Sequence, residues 1–410
     1  MIPKPLSEIE WADLEALQQS AREEDETIEY KGSLSGGANF TALSDSQKIK
    51  AIDSIAKEAI AFLNANGGDI VIGAREASNE KPVIEAFAEL EDVHSLADRL
   101  AQAVSAVIEP SQNLLGVRAV TQEGATSGVI IVRARSSLRA PHRSSRKKEC
   151  YIRRGRESVP MSMDEIQDLT LRRKDMRNDR LNRLADYADE LHSNTLGRVE
   201  LRHDRAQFRL CYIPSSPLAL ALEPEVLSAF RGTQPVLKSG NYETSNDVFS
   251  RRLHGLWKPV LRGRSQQDHF RGEDREMFAR RQIFESGELV ADFSARTKFD
   301  NTPADGLAVH YEWFLGFVAN FLTGISKVSD ATNNPLEGFL SLSYRFTGNV
   351  WLSFGADGFG EMHSLPNETG SIPTFEIADR GQLPEIFQQL QVDLCALAGE
   401  FEEHPFSFRD

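Results

Sequence analysis

The segment Ala61–Gly73, AFLNANGGDIVIG, constrains the fold of this chain more than any other. It predicts the end of a helix, a turn over Asn64–Gly68 and a short strand, Ile70–Ile72. Because that strand is apolar on both faces, it should be central in a sheet that helices cover. Glu76 follows shortly after Gly73, so it should lie at the carboxyl end of this strand, at the edge of the sheet.

A second strand is predicted upstream, in the sequence EEDETIEYK (Glu23–Lys31). Successive side chains of a strand point to opposite faces, so Ile28 and Tyr30 should share one face of the sheet, and Glu29 and Lys31 the other. If this strand lies beside the central one, charged groups from two distant segments meet at one place.

The charged side chains that would converge there are Glu24, Glu29, Glu76 and Lys31. Carboxylate oxygens suit a divalent cation, Mg²⁺ or Mn²⁺, beside a phosphate. Taken alone, an acidic run at the end of a helix is more often solvated surface. The shared strand face of Glu29 and Lys31 is the local feature that favours a site.

The rest of the first 200 residues predicts further helices and a hairpin. The predicted elements are a helix over residues 7–22 capped by Ser7 with Glu10, a helix capped by Ser44 with Gln47, a helix that stops at Pro110, a hairpin of Leu114–Val120 and Val129–Arg135, and a long polar helix from Ser162 to Ser193. Capping boxes and the 3.6-residue apolar period support the helices. These elements indicate an α+β unit, a small mixed sheet with packed helices.

Positive charge is concentrated in residues 133–183, which hold 16 Lys and Arg against 7 Asp and Glu, although the whole chain has a net charge of −14. A basic belt on an acidic chain is typical of local phosphate binding. The alternative is a solvated helical face, the commoner meaning of a charge run. The candidate nucleic-acid contacts are Lys31, Arg143, Arg146, Lys147, Lys148, Arg153, Arg154, Arg156, Arg172, Arg173, Lys174 and Arg177. Tyr151 in a strand is more often core than a base-stacking platform, and the loop residue His142 is more often merely exposed.

Residues 195–410 predict a second α+β domain, with a helix over Tyr311–Val328 and a closing helix over Leu383–Phe401. The expected organisation is therefore an N-terminal domain over residues 1–160, a basic linker helix over 161–194, and a C-terminal sensor, docking or dimerisation domain. Its aromatic residues are most simply core.

Composition restricts the setting of the protein. The sequence has no basic-then-apolar N-terminal signal and no apolar run of about 18 residues, so neither secretion nor a membrane span is indicated. Its three cysteines, Cys150, Cys211 and Cys395, are far apart and odd in number. They predict no disulfide framework and no zinc site, and they favour the reducing cytoplasm.

The order E-x4-E-x-K, then A-F-x-N-x-x-G-G, a short apolar strand and an acid, resembles the Schlafen core family, an Alba-like nucleic-acid-binding domain. The segment Cys150–Ile166, CYIRRGRESVPMSMDEI, resembles the closing segment of that family. The resemblance covers about residues 20–170. In nuclease members, three acids at the positions of Glu24, Glu29 and Glu76 form a metal-dependent RNA-cleaving centre, and the third acid is usually aspartate.

The resemblance implies a metal-dependent endoribonuclease that hydrolyses phosphodiesters of structured RNA such as tRNA, in antiviral defence against phage. Lys31 would hold the scissile phosphate. Vertebrate members pair two lobes around RNA, so one lobe per chain implies a homodimer. Two alternatives remain open: a non-catalytic DNA- or RNA-binding transcriptional regulator with a C-terminal sensor domain, and a structural subunit of a defence assembly. The family is also described as a divergent ATP-binding domain, but Gly32–Phe40 has no Walker motif.

Overall fold

The computed structural model describes residues 1–4, 6–33, 43–78, 82–88, 90–111, 115–193, 206–216, 218, 221–231, 236–239, 242–244, 256–271, 275–297, 307–332, 334, 336–354, 361–366, 368–399 and 407–409. The chain divides into two compact units, Met1–Arg177 and Asn178–Asp410. Both contain helices and mixed or antiparallel sheets, so the α+β class expected from the sequence is confirmed. Within these ranges, no helix is both long and apolar enough to cross a membrane.

The N-terminal unit consists of three complete helices, part of a fourth and ten short strands among the described residues. The helices are α1 (Trp11–Gln19), α2 (Asp45–Asn64), α3 (Val93–Ser105) and α4 (Met163–His192), within which the division between the units falls. The strands are β1 (Ile28–Lys31), β2 (Gly68–Ile72), β3 (Ala74–Glu76), β4 (Ile84–Phe87), β5 (Ile108–Glu109), β6 (Leu115–Thr121), β7 (Gly128–Ala134), β8 (Arg143–Ser144), β9 (Tyr151–Arg154) and β10 (Glu157–Pro160).

The predicted central strand is the second of a four-stranded sheet with the order β1-β2-β7-β6. Strands β1 and β2 are parallel neighbours, with Glu29 opposite Ile70, and β7 is antiparallel to β2. All five residues of β2 are buried. One face of the sheet packs on α2 and α3, and the other face, including Ile28 and Tyr30, packs on α1. The two-faced burial of β2 and the assignment of faces along β1 are therefore confirmed.

A tight turn connects α2 to β2. Gly67 adopts φ +82, and a Cβ atom there would lie 2.9 Å from the carbonyl oxygen of Ala134. The buried Asn64 side chain donates hydrogen bonds to the backbone carbonyls of His142 and Tyr151, and its Oδ1 accepts the amide of His142. This asparagine therefore ties the end of α2 to β9.

The first helix is shorter than predicted. It begins at Trp11 rather than at residue 7, because Glu10 and Asp13 form the capping box and a short 3-10 turn, Leu6–Glu8, precedes it. It ends at Gln19, just before Ala21, which has φ +48. The capping box of Ser44 and Gln47 at the start of α2 is confirmed.

The C-terminal unit is built on one large sheet. Its helices are α5 (Pro224–Arg231), α6 (Tyr311–Ala331) and α7 (Leu383–Leu397). Its strands are β11 (Ala206–Pro214), β12 (Val236–Ser239), β13 (Tyr242–Thr244), β14 (Lys258–Val260), β15 (Gly263–Arg271), β16 (Arg275–Phe284), β17 (Leu289–Thr297), β18 (Leu307–His310), β19 (Gly338–Phe346), β20 (Val350–Phe354), β21 (Glu361–Leu365), β22 (Thr369–Ser371), β23 (Phe375–Ile377) and β24 (Ser407–Arg409).

The main path of that sheet is β14-β15-β16-β17-β11-β19-β22. Helices α5, α6 and α7 contribute to its apolar core, and the predicted helices at Tyr311 and Leu383 are confirmed. On β11, Arg209 is 1% exposed and forms an ion pair with Asp292, whose other oxygen pairs with Arg280. A buried cation in this sheet is thus matched by a buried carboxylate.

Candidate functional site

Strand β1 presents Glu29 and Lys31 on the face of the sheet opposite Ile28 and Tyr30. Glu29 is buried, and Lys31 is partly exposed. The Lys31 ammonium lies 2.5 Å from Oε1 of Glu29. The predicted pairing of acid and lysine on one strand face therefore exists as a direct ion pair.

Arg153 lies beside the same carboxylate. Its Nη2 is 2.7 Å from Oε2 of Glu29, and its guanidinium also donates to the backbone carbonyls of Asp25 and Ile28. The guanidinium carbon lies 5.1 Å from the centre of the Phe62 ring. Arg153 is 6% exposed, so the sequence-based assignment of this arginine as a surface phosphate contact is wrong. Its positive charge instead pairs with a buried carboxylate inside the N-terminal unit.

Glu58, on α2, completes the arrangement. Its Oε2 is 3.1 Å from Nη1 of Arg153, and its Oε1 is 3.8 Å from Nζ of Lys31. Lys31, Glu29, Arg153 and Glu58 thus form a closed ring of alternating charges, called here the four-charge ring. The Ser158 hydroxyl donates to Glu58 and accepts from Arg153. The ring contains two positive and two negative groups, so these buried charges compensate one another.

The sequence analysis did not identify Glu58, although the sequence carries a signal for it. Ile55, Glu58 and Phe62 are spaced three and four residues apart, so Glu58 falls on the buried stripe of α2. A glutamate within an apolar stripe needs a charged partner in the core. The residue that provides this partner, Arg153, is 95 positions away, and nothing local in the sequence points to it.

Glu24 lies just outside the four-charge ring. Its Oε1 accepts a hydrogen bond from the backbone amide of Tyr30 at 2.7 Å, which places the carboxyl group beside β1. Burial raises the pKa of Glu24 to about 7, and the neighbouring charges of Glu29 and Glu76 act in the same direction. Near neutral pH this carboxyl group is therefore divided between its protonated and ionised forms.

Glu76 ends β3, after the chain has turned at Gly73, which has φ +98. Burial raises the pKa of Glu76, and repulsion by Glu29 adds to it, while Lys31 and Arg156 oppose the rise. Glu24, Glu29, Glu76 and Lys31 thus lie close enough for their charges to interact. The pairing of β3 with β4 shifts register between Arg75 and Glu76, the kind of irregularity that changes the direction of side chains along a strand.

The chemistry of this group suits a hard divalent cation, because three carboxylates supply oxygen ligands and two of them have raised pKa values that a cation would lower. Their arrangement does not fit one, however: within the described residues, no three His, Cys, Asp or Glu side chains are placed so that they could hold a metal ion. Both oxygens of Glu29 already contact cationic side chains, Lys31 and Arg153.

Most of the other cationic candidates lie on the surface of the N-terminal unit. The exposed ones are Arg143, Arg146, Lys147, Lys148, Arg154, Arg156, Arg172, Lys174 and Arg177. Several have carboxylate neighbours: Arg143 and Lys148 pair with Glu109, Arg146 with Asp53, and Arg154 with Glu165. Arg173 is half-buried and donates to Ser136 and to the carbonyl of Ala65. The belt is thus an exposed surface whose charge is partly compensated.

Two further residues have structural roles. His142 is buried, with its ring nitrogens 3.0 Å from the carbonyl oxygen of Pro110 and 2.8 Å from the Ser137 hydroxyl, so the expectation of an exposed loop histidine is wrong. Burial lowers the pKa of His142 to about 4, so the ring is neutral at physiological pH. Tyr151 is buried among the residues that pack on α2 and α3, as the core interpretation predicted.

Comparison with known proteins places this site in a recognised domain. Residues 24–162 match the family Schlafen, AlbA_2. Among solved structures, similar chains include the N-terminal domain of an ATP-dependent DNA helicase RecG-related protein from Nitrosomonas europaea, which is 17% identical over 32% of this chain and 77% of that chain, with a TM-score of 0.24. A TM-score of this size does not establish a common fold. No match to a curated protein was found.

Proposed function

Because residues 24–162 belong to the Schlafen, AlbA_2 family, we propose that the N-terminal unit is a metal-dependent endoribonuclease that acts on structured RNA such as tRNA, in defence against phage. The family match supports a nucleic-acid-related function. The finer proposal is carried by one observation: Glu24, bonded to the Tyr30 amide, and Glu29, paired with Lys31, lie at β1, beside the strand β3 that ends at Glu76.

In this proposal Glu24, Glu29 and Glu76, which the structure does not arrange as ligands of one ion, would have to approach one another to hold Mg²⁺ or Mn²⁺. When bound, that ion would supply a Lewis acid and an activated water for phosphodiester hydrolysis. Lys31 contributes a positive charge next to these acids, where it would bind the scissile phosphate. Arg156, on the exposed turn between β9 and β10, interacts with Glu76 and would contact an adjacent phosphate. Exposed cations of the belt would follow the RNA backbone without reading its sequence.

A second candidate function is a binding module without catalysis, for example a transcriptional regulator that binds DNA and has a sensor in its C-terminal unit. One observation favours it. Glu29 is held between Lys31 and Arg153, so this carboxylate already has the cationic partners that a metal ion would otherwise provide. A charge-neutral ring of this kind can stabilise a binding surface without taking part in a reaction.

The two candidates are separated by a cleavage and binding assay. Purified full-length protein is incubated with tRNA and with duplex DNA, in Mn²⁺ or in EDTA. Glu76→Gln and Glu24→Gln keep side-chain shape and remove one proposed ligand each, and Glu123→Gln, in the exposed turn between β6 and β7, is the matched control. The nuclease proposal expects Mn²⁺-dependent cutting of tRNA that both site variants lose and the control retains. Binding that survives EDTA and all three substitutions, without cutting, would support the module.

The proposal extends to assembly and location. One Schlafen lobe per chain suggests that a homodimer supplies the second wall of an RNA-binding groove, in the cytoplasm where the proposed substrate is found. Size-exclusion chromatography with light scattering at micromolar concentration tests the assembly directly. One protein chain per particle, both in the free protein and in its complex with tRNA, would rule out the dimer.

A further inference from the structure

Glu58 is a buried carboxylate that lies next to the proposed cleavage site but is not one of the three proposed metal ligands. It projects from α2, whereas the ligands come from β1, β3 and the segment before β1. Its side chain is 7% exposed. Keeping an ionised carboxylate at this depth is costly unless it is paired and hydrogen-bonded. The position of Glu58 is therefore determined by its partners, and in return Glu58 restricts where they can lie.

Those partners are the two cations that contact Glu29. Oε2 of Glu58 accepts hydrogen bonds from the Arg153 guanidinium and from the Ser158 hydroxyl. Oε1 of Glu58 lies 3.8 Å from the Lys31 ammonium. Without Glu58, the Lys31 amine would keep one close carboxylate, Glu29. Because the lysine side chain is flexible, the Lys31–Glu29 pair could then rotate away from its present position. The guanidinium of Arg153 would likewise lose one of its two carboxylate anchors.

We infer that Glu58 is a positioning residue for the proposed cleavage site, holding the Lys31 ammonium directly and the Glu29 carboxylate through Arg153. The inference rests on the proposed function for its catalytic consequence, but the arrangement it assigns can be measured without catalysis. Ser158 supports this arrangement, because its hydroxyl fixes the orientation of the Glu58 carboxylate toward Arg153.

The main test is the Glu58→Gln variant of the full-length protein, with Glu157→Gln as the matched control. Glu157 lies on β10 next to Ser158 and is exposed, so its substitution makes the same charge change outside the ring. For Glu58→Gln we expect the single-turnover rate of tRNA cleavage at saturating protein to fall about tenfold or more, as for other groups that orient ligands from behind. The Kd for tRNA should stay within about twofold, since the Glu58 side chain is only 7% exposed. The control should match the unmodified protein in both.

A second measurement follows the Lys31 amine itself, by amine acylation and peptide mass spectrometry, with the exposed Lys174 as the internal reference. Because the contact with Glu58 restrains the Lys31 side chain, its removal should leave the amine more mobile and more open to the reagent, and should raise the labelling of Lys31 relative to Lys174 by about threefold or more. If the unmodified protein cuts no RNA, the nuclease proposal fails, but labelling still decides the inference: a rise supports it and no change overturns it.

Should Glu58→Gln fail to fold, Ser158→Ala serves instead, because it keeps all four charges and removes only the hydroxyl. It is expected to slow cleavage about threefold, with a smaller rise in Lys31 labelling. Cleavage by the folded variants at the rate of the unmodified protein, with unchanged Lys31 labelling, would show that Glu58 merely fills space in α2 and would overturn the inference.

Discussion

Glu29 and Arg153 form an ion pair inside the N-terminal unit, with 2.7 Å between Oε2 of the carboxylate and Nη2 of the guanidinium. Arg153 also pairs with Glu58, so one cation compensates two buried acids on different elements. Removing one member of such a group leaves the others charged and desolvated. The stability of the unit and the geometry of its candidate site therefore depend on the same arginine.

Arg153→Met is expected to lower the free energy of unfolding by about 3–5 kcal/mol, the usual cost of leaving buried charges without a partner. Arg154→Met is the matched control on the same strand, because Arg154 is exposed and pairs with Glu165 at the surface. A surface pair contributes only about 0–1 kcal/mol. Urea denaturation followed by circular dichroism measures both, and equal destabilisation of the two variants would contradict the buried role of Arg153.

The contrast between Arg153 and Arg154 shows what could be predicted from the sequence. Local alternation correctly assigned the two faces of β1 and the central position of β2, because each pattern lies within one strand. The same alternation places Arg153 on the inward face with Tyr151, and treating the basic run as uniform surface missed this. The partners of Arg153 could not be predicted, since Glu29 and Glu58 reach it only through the parallel pairing of β1 with β2 and the packing of α2 against β9.

The convergence of Glu24, Glu29 and Glu76 was expected on the condition that β1 and β2 are neighbours, and the register of these strands meets that condition. The start of α1 was predicted wrongly, because Ser7 and Glu10 form as good a local capping pattern as Glu10 and Asp13. The packing of Leu6 and Ile9 on the sheet distinguishes them: Ile9 is fully buried against it.

A second buried pair should fix the first residues of the chain. Asp69 is fully buried, pairs with Arg133 at 2.7 Å and accepts the amide of Ile2, while Arg133 donates to the carbonyls of Ile2 and Lys4. Arg133→Met is expected to cost about 3 kcal/mol and to speed hydrogen exchange in the peptide that contains Ile2. Arg118→Met, which removes a single hydrogen bond to the carbonyl of Leu6, should leave that exchange nearly unchanged.

If the belt binds nucleic acid, its exposed lysines should set the salt dependence of binding. Lys147→Glu is expected to weaken tRNA binding and to reduce the slope of log Kd against log salt by about 0.7–0.9 for each phosphate that the protein no longer neutralises. Lys258→Glu, an identical charge change on exposed β14 of the C-terminal unit, is the control. Fluorescence anisotropy at several salt concentrations measures both slopes. A reduced slope for Lys258→Glu alone would move the binding surface to the other unit.

Glu24 should make the stability of the protein depend on pH near neutrality. Its pKa is raised from 4.5 to about 7 in the folded state, so the folded chain retains a proton that the unfolded chain has released. The free energy of unfolding must therefore fall as pH rises through this window. Glu24→Gln cannot ionise, and its amide oxygen can still accept the Tyr30 amide.

Relative to the unmodified protein, Glu24→Gln is expected to be about equally stable at pH 4 and more stable at pH 8 by about 1–2 kcal/mol, after allowance for the partial exposure of the carboxyl group. The measurement is urea denaturation in EDTA across this range. The exposed neighbour Glu23→Gln provides the comparison, with a difference that stays flat across pH. A gain for Glu24→Gln that is the same at pH 4 and pH 8 would mean that shape or packing, rather than the buried charge, distinguishes the two side chains. In that case Glu24 would already be ionised at neutral pH. Other groups of the protein would then offset the repulsion among Glu24, Glu29 and Glu76.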